Sequence, residues 1–266
     1  MFLQSSLAIA FWFDAVTYLA SAALLATIVV PPLAKRARAG KGATTESETG
    51  AVEGVGAAEE AQPSVMEDLK AGWAFLRRET VLLANTLQGT AGQFSLGVLT
   101  VASLILAREI TTTGGPDAYR GTYAFMETAI GVGSLVGGFT LGAVAGRVRK
   151  GRLIIAAYTL FGIGTVALGI VDSVPIVLAL LFGLGIANMA FVIPSQTLFQ
   201  ERTPAELMGR VVSFRFALVF GGMSLAMALG GVAVSVFGPG PVIVAAGLIS
   251  VAAGVAGLFV AAVRDA

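Results

Sequence analysis

The chain has 266 residues and 17 basic against 16 acidic side chains, but only 12% of its residues are charged while 56% are hydrophobic. With a mean hydropathy of +0.86, it falls well short of the roughly 25% charge that covers a soluble domain, which points to an all-α integral membrane protein. The near-zero net charge speaks against a nucleic-acid partner; the absence of cysteine and histidine removes disulfides, thiolate metal sites and the commonest general base, so no metal or cofactor is expected.

A bilayer core about 30 Å thick takes roughly 20 apolar residues in a helix, and seven stretches qualify: 3–30, 81–107, 119–145, 153–171, 174–199, 211–237 and 241–263. Segments of alternating polarity, the mark of a membrane β-barrel, are missing. The first stretch is interrupted only by Asp14. Beyond Pro31-Pro32, residues 31–63 are rich in Ala, Gly, Thr and Glu; with nothing apolar to bury, they read as a disordered linker. Residues 64–79 read as a short amphipathic helix lying on the membrane, with Val65, Leu69, Trp73 and Leu76 on one face and a Ser64/Glu67 capping box. The later breaks are short: Gly114-Gly115-Pro116-Asp117, Asp172-Ser173 and Gly238-Pro239-Gly240-Pro241 carry turn chemistry.

The domain plan is therefore a helix over 1–30, a linker over 31–79, and a six-helix bundle over 80–266. One set of loops holds Lys35, Arg36, Arg38, Lys41, Lys70, Arg77 and Arg78, then Arg147, Arg149, Lys150 and Arg152, then Arg202, Arg210 and Arg264; the other set holds only Arg108 and Arg120. The basic set should face the cytoplasm. This places the N-terminus outside and the C-terminus inside the inner (plasma) membrane. The start lacks a basic n-region, and its apolar run is too long for a signal peptide.

Small residues sit inside the spans. Ser134, Gly138, Gly142 and Gly146 recur every four residues, as a stripe for close helix packing; Gly247, Ser250, Gly254 and Gly257 form a second. An acid within a span is costly and is a site hypothesis in itself. Asp14 and Glu127 are the two such acids, each able to bind a proton or a cationic substrate, since desolvation favours the protonated carboxylate; Asp14 has Thr17 in reach as a purely structural partner. Asn85, Gln88 and Gln93, with Asn188 and Gln196, are cavity-lining candidates, equally explained as interhelical hydrogen bonds. Phe94, Phe125, Met126, Met189 and Phe191 suit a hydrophobic substrate or a plain core. Arg215 is expected to snorkel or to pair with Glu201.

Three segments carry a family resemblance: Phe11-Trp12-Phe13-Asp14-Ala15-Val16-Thr17-Tyr18-Leu19 followed by Pro31-Pro32; Gly142-x-x-x-Gly146-Arg147-x-x-x-Gly151-Arg152; and Gln196 to Val211, with Pro204, Gly209 and Arg210 at its heart. They resemble the sixth helix and two cytoplasmic loops of a major facilitator superfamily permease, in the bacterial efflux branch of enterobactin-type and macrolide-type exporters. The resemblance implies a non-enzymatic, proton-coupled exporter of a small hydrophobic or amphipathic compound. In such a twelve-helix permease this chain would supply helix 6, the central linker and helices 7–12, with a missing N-terminal half and membrane lipid as partners. It departs from the family's loop signature at Gly146, where an acid often precedes the arginine. Arg147, Arg152 and Arg210 are expected to set orientation and to bind helix ends or lipid phosphate. Two other readings compete: a non-transporting scaffold derived from a half-permease, and a membrane enzyme. The latter fits poorly, since the spans contain no lysine and the two acids lie on different helices. Direct ATP coupling is excluded by the lack of a Gly-x-x-x-x-Gly-Lys-Ser/Thr loop.

Overall fold

Apolar runs of this length fold as helices because only a helix satisfies every backbone polar group within the segment. In the computed structural model, which describes residues 12, 14–24, 27, 65–115, 117–144, 149–260 and 264, all regular elements are helical. They are α1 (14–24), α2 (Val65–Arg78), α3 (Thr80–Ile110), α4 (Ala118–Val144), α5 (Lys150–Leu168), α6 (Val174–Arg202), α7 (Met208–Phe237) and α8 (Pro239–Phe259). The chain divides into two units, Met1–Glu59 and Glu60–Ala266. Of the first unit, α1 is described by itself; the rest of the span expected over 3–30, the linker, and the cap residue Ser64 lie outside the described residues.

In the second unit, α3 to α8 are six helices long and apolar enough to cross a membrane. Their ends fall within a few residues of those expected. Gly114 (φ +108) turns the chain between α3 and α4, and Gly238 (φ +79) closes α7 and opens α8 in one residue; both are conformations that disfavour a side chain. At the same inter-helix turn, Arg108 donates to the Tyr119 hydroxyl (3.0 Å) and Thr111 to Thr122 (2.8 Å), tying the end of α3 to the start of α4.

Of the sequence neighbours, only α5 and α6 are among the main packing partners. The principal interfaces are α4–α6, α5–α8, α3–α7, α5–α6 and α3–α8. Exchanging α3, α4, α5 for α6, α7, α8 maps this set onto itself: α4–α6 becomes α7–α3, α5–α6 becomes α8–α3, and α5–α8 is unchanged. Three crossings separate the equivalent helices, so they run in opposite directions. The unit is an inverted repeat of two three-helix elements, an arrangement that transporter bundles use.

Glycine permits these contacts. On the α5–α8 interface a Cβ at Gly162 would lie 2.5 Å from the Val251 amide nitrogen, and one at Gly247 would lie 2.6 Å from that of Val166. On α3–α7, a Cβ at Gly97 would stand 2.5 Å from the Met223 carbonyl. The α8 stripe expected from sequence is therefore an interface: Gly254 meets Thr159, Gly257 meets Gln88, and Ser250 bonds Ser95 at 2.7 Å. Of the α4 stripe only Ser134 is at one, its amide nitrogen standing 2.7 Å from where a Cβ at Gly185 of α6 would lie. Gly138 and Gly142 have nothing within 4 Å of a Cβ, and Gly146 lies outside the described residues. The close approach to α6 instead uses Gly133, where a Cβ would run into the Phe182 carbonyl, and Gly137, where a Cβ would lie 2.9 Å from Ile186 Cα. The working stripe is thus rotated by one residue. Gly137→Ala is expected to destabilise the bundle by about 1–3 kcal/mol, the usual cost of overpacking, and Gly138→Ala to leave it unchanged; thermal unfolding of the two variants in detergent checks the contrast.

Helix α2 docks on the bundle. Leu76 is fully buried, Trp73 stacks near Phe214 with ring centroids 5.6 Å apart, and a Cβ at Gly72 would lie 2.5 Å from the Arg210 carbonyl. Arg210 Nε stands 2.7 Å from Asp68 Oδ1. The apolar face expected to lie on lipid is therefore spent largely on α7, because the break at Glu79 is short enough to fold α2 back against the bundle.

Candidate functional site

Two groups of polar side chains within the spans stand at different places. The first lines a cavity of about 300 Å³ bounded by α3, α4, α5, α6 and α8. Its wall is mostly apolar, with Leu99, Leu106, Met126, Leu181 and Ile243 among the lining residues; its polar members are Thr100, Ser103, Glu127, Ser134 and Asn188. Thr100 donates to Leu96 O (2.9 Å), Ser103 to Thr100 O (3.3 Å) and Ser134 to Ile130 O (2.9 Å). Their hydroxyl protons are thus held by their own helices. The groups left to face a ligand are the Glu127 carboxylate and the Asn188 amide. Glu127 lies nine residues into α4, roughly 14 Å along the helix axis. Tyr123, one turn earlier, interacts with Glu127 and with Ser103.

Two of the five residues singled out in the sequence, Glu127 and Asn188, therefore share one cavity. Asn85 and Gln88 do not line it. Both are buried: Gln88 donates to the Ala253 carbonyl of α8 (3.1 Å), and Asn85 accepts from Ser195 of α6 (2.5 Å). They diverge despite a three-residue spacing because α3 is enclosed on several sides by α7, α8 and α6. Asp14 belongs to the separate N-terminal unit. It is exposed there, and Thr17 bonds its backbone carbonyl (2.7 Å) rather than its carboxylate. Thr100 and Ser103 are not among the residues the sequence singles out, and Ser134 enters there only as part of a packing stripe. Their signal was present: Glu127, Gly131 and Ser134 fall on one face of α4, as Leu96, Thr100 and Ser103 do on α3.

The second group surrounds Arg215, which neither snorkels nor pairs with Glu201. It is 6% exposed; its guanidinium donates to Ser195 Oγ (2.7 Å) and Gln196 Oε1 (3.0 Å), and covers the Phe199 ring at 4.3 Å. Glu201 binds Lys150 instead, at 2.5 Å, joining the end of α6 to the start of α5. The reason is facing: Arg215 points into the bundle while Glu201 lies in the last turn of α6, at the surface.

The loop residues sit at the end where α3, α5 and α7 begin. Gly142, Arg152, Pro204 and Gly209 are exposed, Arg210 is half-buried against α2, and Arg147 lies outside the described residues.

A bundle of six apolar helices in inverted-repeat order, enclosing a mostly apolar cavity with an intramembrane carboxylate, is the architecture of a membrane transporter. Residues 117–266, more than half the chain, match the family model of the Major Facilitator Superfamily. The chain belongs to that superfamily, whose members are multi-pass membrane transporters and not enzymes. No curated protein and no solved structure gives a significant match.

Proposed function

We propose that this chain forms the C-terminal half of a secondary active transporter that exports a small hydrophobic or amphipathic compound in exchange for protons, with Glu127 as the proton-binding group. The observation that carries the reading is the placement of Glu127 and Asn188 on one otherwise apolar cavity of about 300 Å³, a size suited to a small ligand. An apolar wall favours a hydrophobic body, and a carboxylate favours a proton or a cationic group.

A second bundle completes the transporter in this reading, with the span expected over 3–30 as its sixth helix and five further helices supplied from outside this chain. α4 and α7 hold equivalent places in the inverted repeat, and they are the least enclosed spans, with 17% and 22% of their apolar windows buried. Both carry small residues with no neighbour within 4 Å of a Cβ among the described residues: Gly121, Gly131, Gly138 and Gly142 on α4, and Gly221 on α7. Close helix approach needs such residues. The excess of Lys and Arg at the end where α3 begins makes that end cytoplasmic, with the protein in the plasma (inner) membrane, its N-terminus outside and its C-terminus inside.

The test is accumulation of ethidium, an amphipathic cation, in inverted vesicles carrying the chain together with helices 1–5 of a transporter of the same superfamily. Uptake that follows an imposed pH gradient and collapses with a protonophore is the expected result. Uptake no greater than in empty vesicles, across a panel of hydrophobic cations and neutral dyes, would leave the scaffold reading in its place.

A further inference from the structure

The Arg215 cluster presents an excess of donors. Arg215 donates to Ser195 Oγ, so the Ser195 hydroxyl proton must point away, to Asn85 Oδ1. This order fixes the Asn85 amide with its NH2 outward. Asn85 Nδ2, Arg215 Nε and the Tyr158 hydroxyl are all buried, with no hydrogen-bond partner among the described residues. Ser195 joins Asn85 to Arg215, and the Tyr158 hydroxyl lies close by: a Cβ at Gly89, one turn beyond Asn85, would meet both that hydroxyl and Val219, one turn beyond Arg215, each at 3.6 Å. The Tyr158 ring is fixed there by Phe191, with centroids 4.3 Å apart. Asn85, Tyr158, Ser195 and Arg215 also lie at one level, roughly 8–12 Å from the ends of their helices on the basic side. Among the described residues the guanidinium meets neutral oxygens and a ring face, and no carboxylate forms a salt bridge with it. A buried unpaired charge is strongly disfavoured, and orphaned donors add to the cost. Neutral acceptors already satisfied cannot relieve either.

We propose that Arg215, Asn85 and Tyr158 form an intramembrane binding site for one small inorganic anion of halide size. The anion neutralises the guanidinium and accepts from the three orphaned donors, acting as a structural counter-ion that holds α3, α5, α6 and α7 together at the basic end. The site is separate from the Glu127 cavity, and its test does not require transport.

The experiment is thermal unfolding of the purified chain in detergent as sodium gluconate is replaced by sodium chloride or sodium bromide at constant ionic strength. Both halides are expected to raise Tm saturably, by about 5 °C at a hundredfold excess over Kd, with acetate giving a smaller rise if a carboxylate fits. Asn85→Asp places a fixed carboxylate beside the guanidinium; it is expected to match the halide-loaded protein in gluconate and to lose the halide response. Arg215→Gln is expected to lose the response as well. A wild-type Tm indifferent to halide means that water serves the donors and overturns the proposal, as does an Asn85→Asp or Arg215→Gln protein that responds to chloride like wild type.

Discussion

Glu127→Gln is expected to abolish accumulation against a pH gradient while preserving the fold. One pH unit is worth 1.36 kcal/mol per proton, a factor of ten in an equilibrium. A transporter exchanging one proton for one substrate molecule should therefore build a ratio of about 10 per pH unit. Gln keeps the shape and polarity of Glu127 but binds no proton, so the ratio should fall to about 1 while downhill exchange persists. Glu127→Asp retains a carboxylate one methylene shorter and should give an intermediate rate with the full ratio. The carboxylate is exposed in this chain and lines the cavity, so neither change leaves a core void. Vesicle accumulation measured at several gradients separates loss of coupling from loss of protein. A Glu127→Gln protein that still concentrates substrate in proportion to the gradient would move the proton site elsewhere, Asp14 being the next acid to test.

Gly162→Val should have the largest effect on stability. The new Cβ would meet Val251 N at 2.5 Å, Val251 Cγ2 at 2.7 Å and Gly247 O at 2.8 Å. Two of these are backbone atoms of α8, which cannot swing aside as a side chain tip does. α5 and α8 would have to separate, and that interface is the one the inverted repeat maps onto itself. A loss of more than about 3 kcal/mol is expected, the upper range for overpacked cores. Gly131→Val is the matched control: nothing lies within 4 Å of its Cβ, so thermal unfolding should be unchanged. Because Gly131 lines the cavity, the same substitution should nonetheless impair transport.

The six spans were legible because uninterrupted apolar length has one backbone solution in a bilayer. Their faces were less so. α4 carries Gly131, Gly133, Gly137, Gly138 and Gly142, so a four-residue period can be drawn in more than one register. Only contact with Phe182 and Ile186 of α6 selects the register through Gly133 and Gly137. A similar degeneracy affects polar residues. That Asn85, Gln88 and Asn188 avoid lipid follows from the hydrophobic pattern; whether each meets a neighbouring helix or a cavity depends on helix rotation, which composition does not encode. Glu127 was identifiable because a carboxylate is costly enough inside a span to need a reason. Arg215 obeyed the same rule but was read as a snorkelling residue from its nearness to a helix end. Its burial arises from the pairing of α7 with α3 and the position of Ser195 on α6.

Proton exchange at Glu127 requires that water reach its cavity within the six-span bundle, and the chain offers a direct measurement. It contains no cysteine, so single cysteines can be introduced without a background signal. Ser134→Cys and Asn188→Cys line the cavity; Ile163→Cys and Leu248→Cys sit on exposed apolar faces of α5 and α8, 53% and 55% accessible, where lipid is expected to cover them. Labelling in native membranes with a membrane-impermeant maleimide should mark the first pair and spare the second. Equal protection of all four positions, or labelling of Ile163→Cys and Leu248→Cys alone, would contradict a water-accessible transport cavity at Glu127.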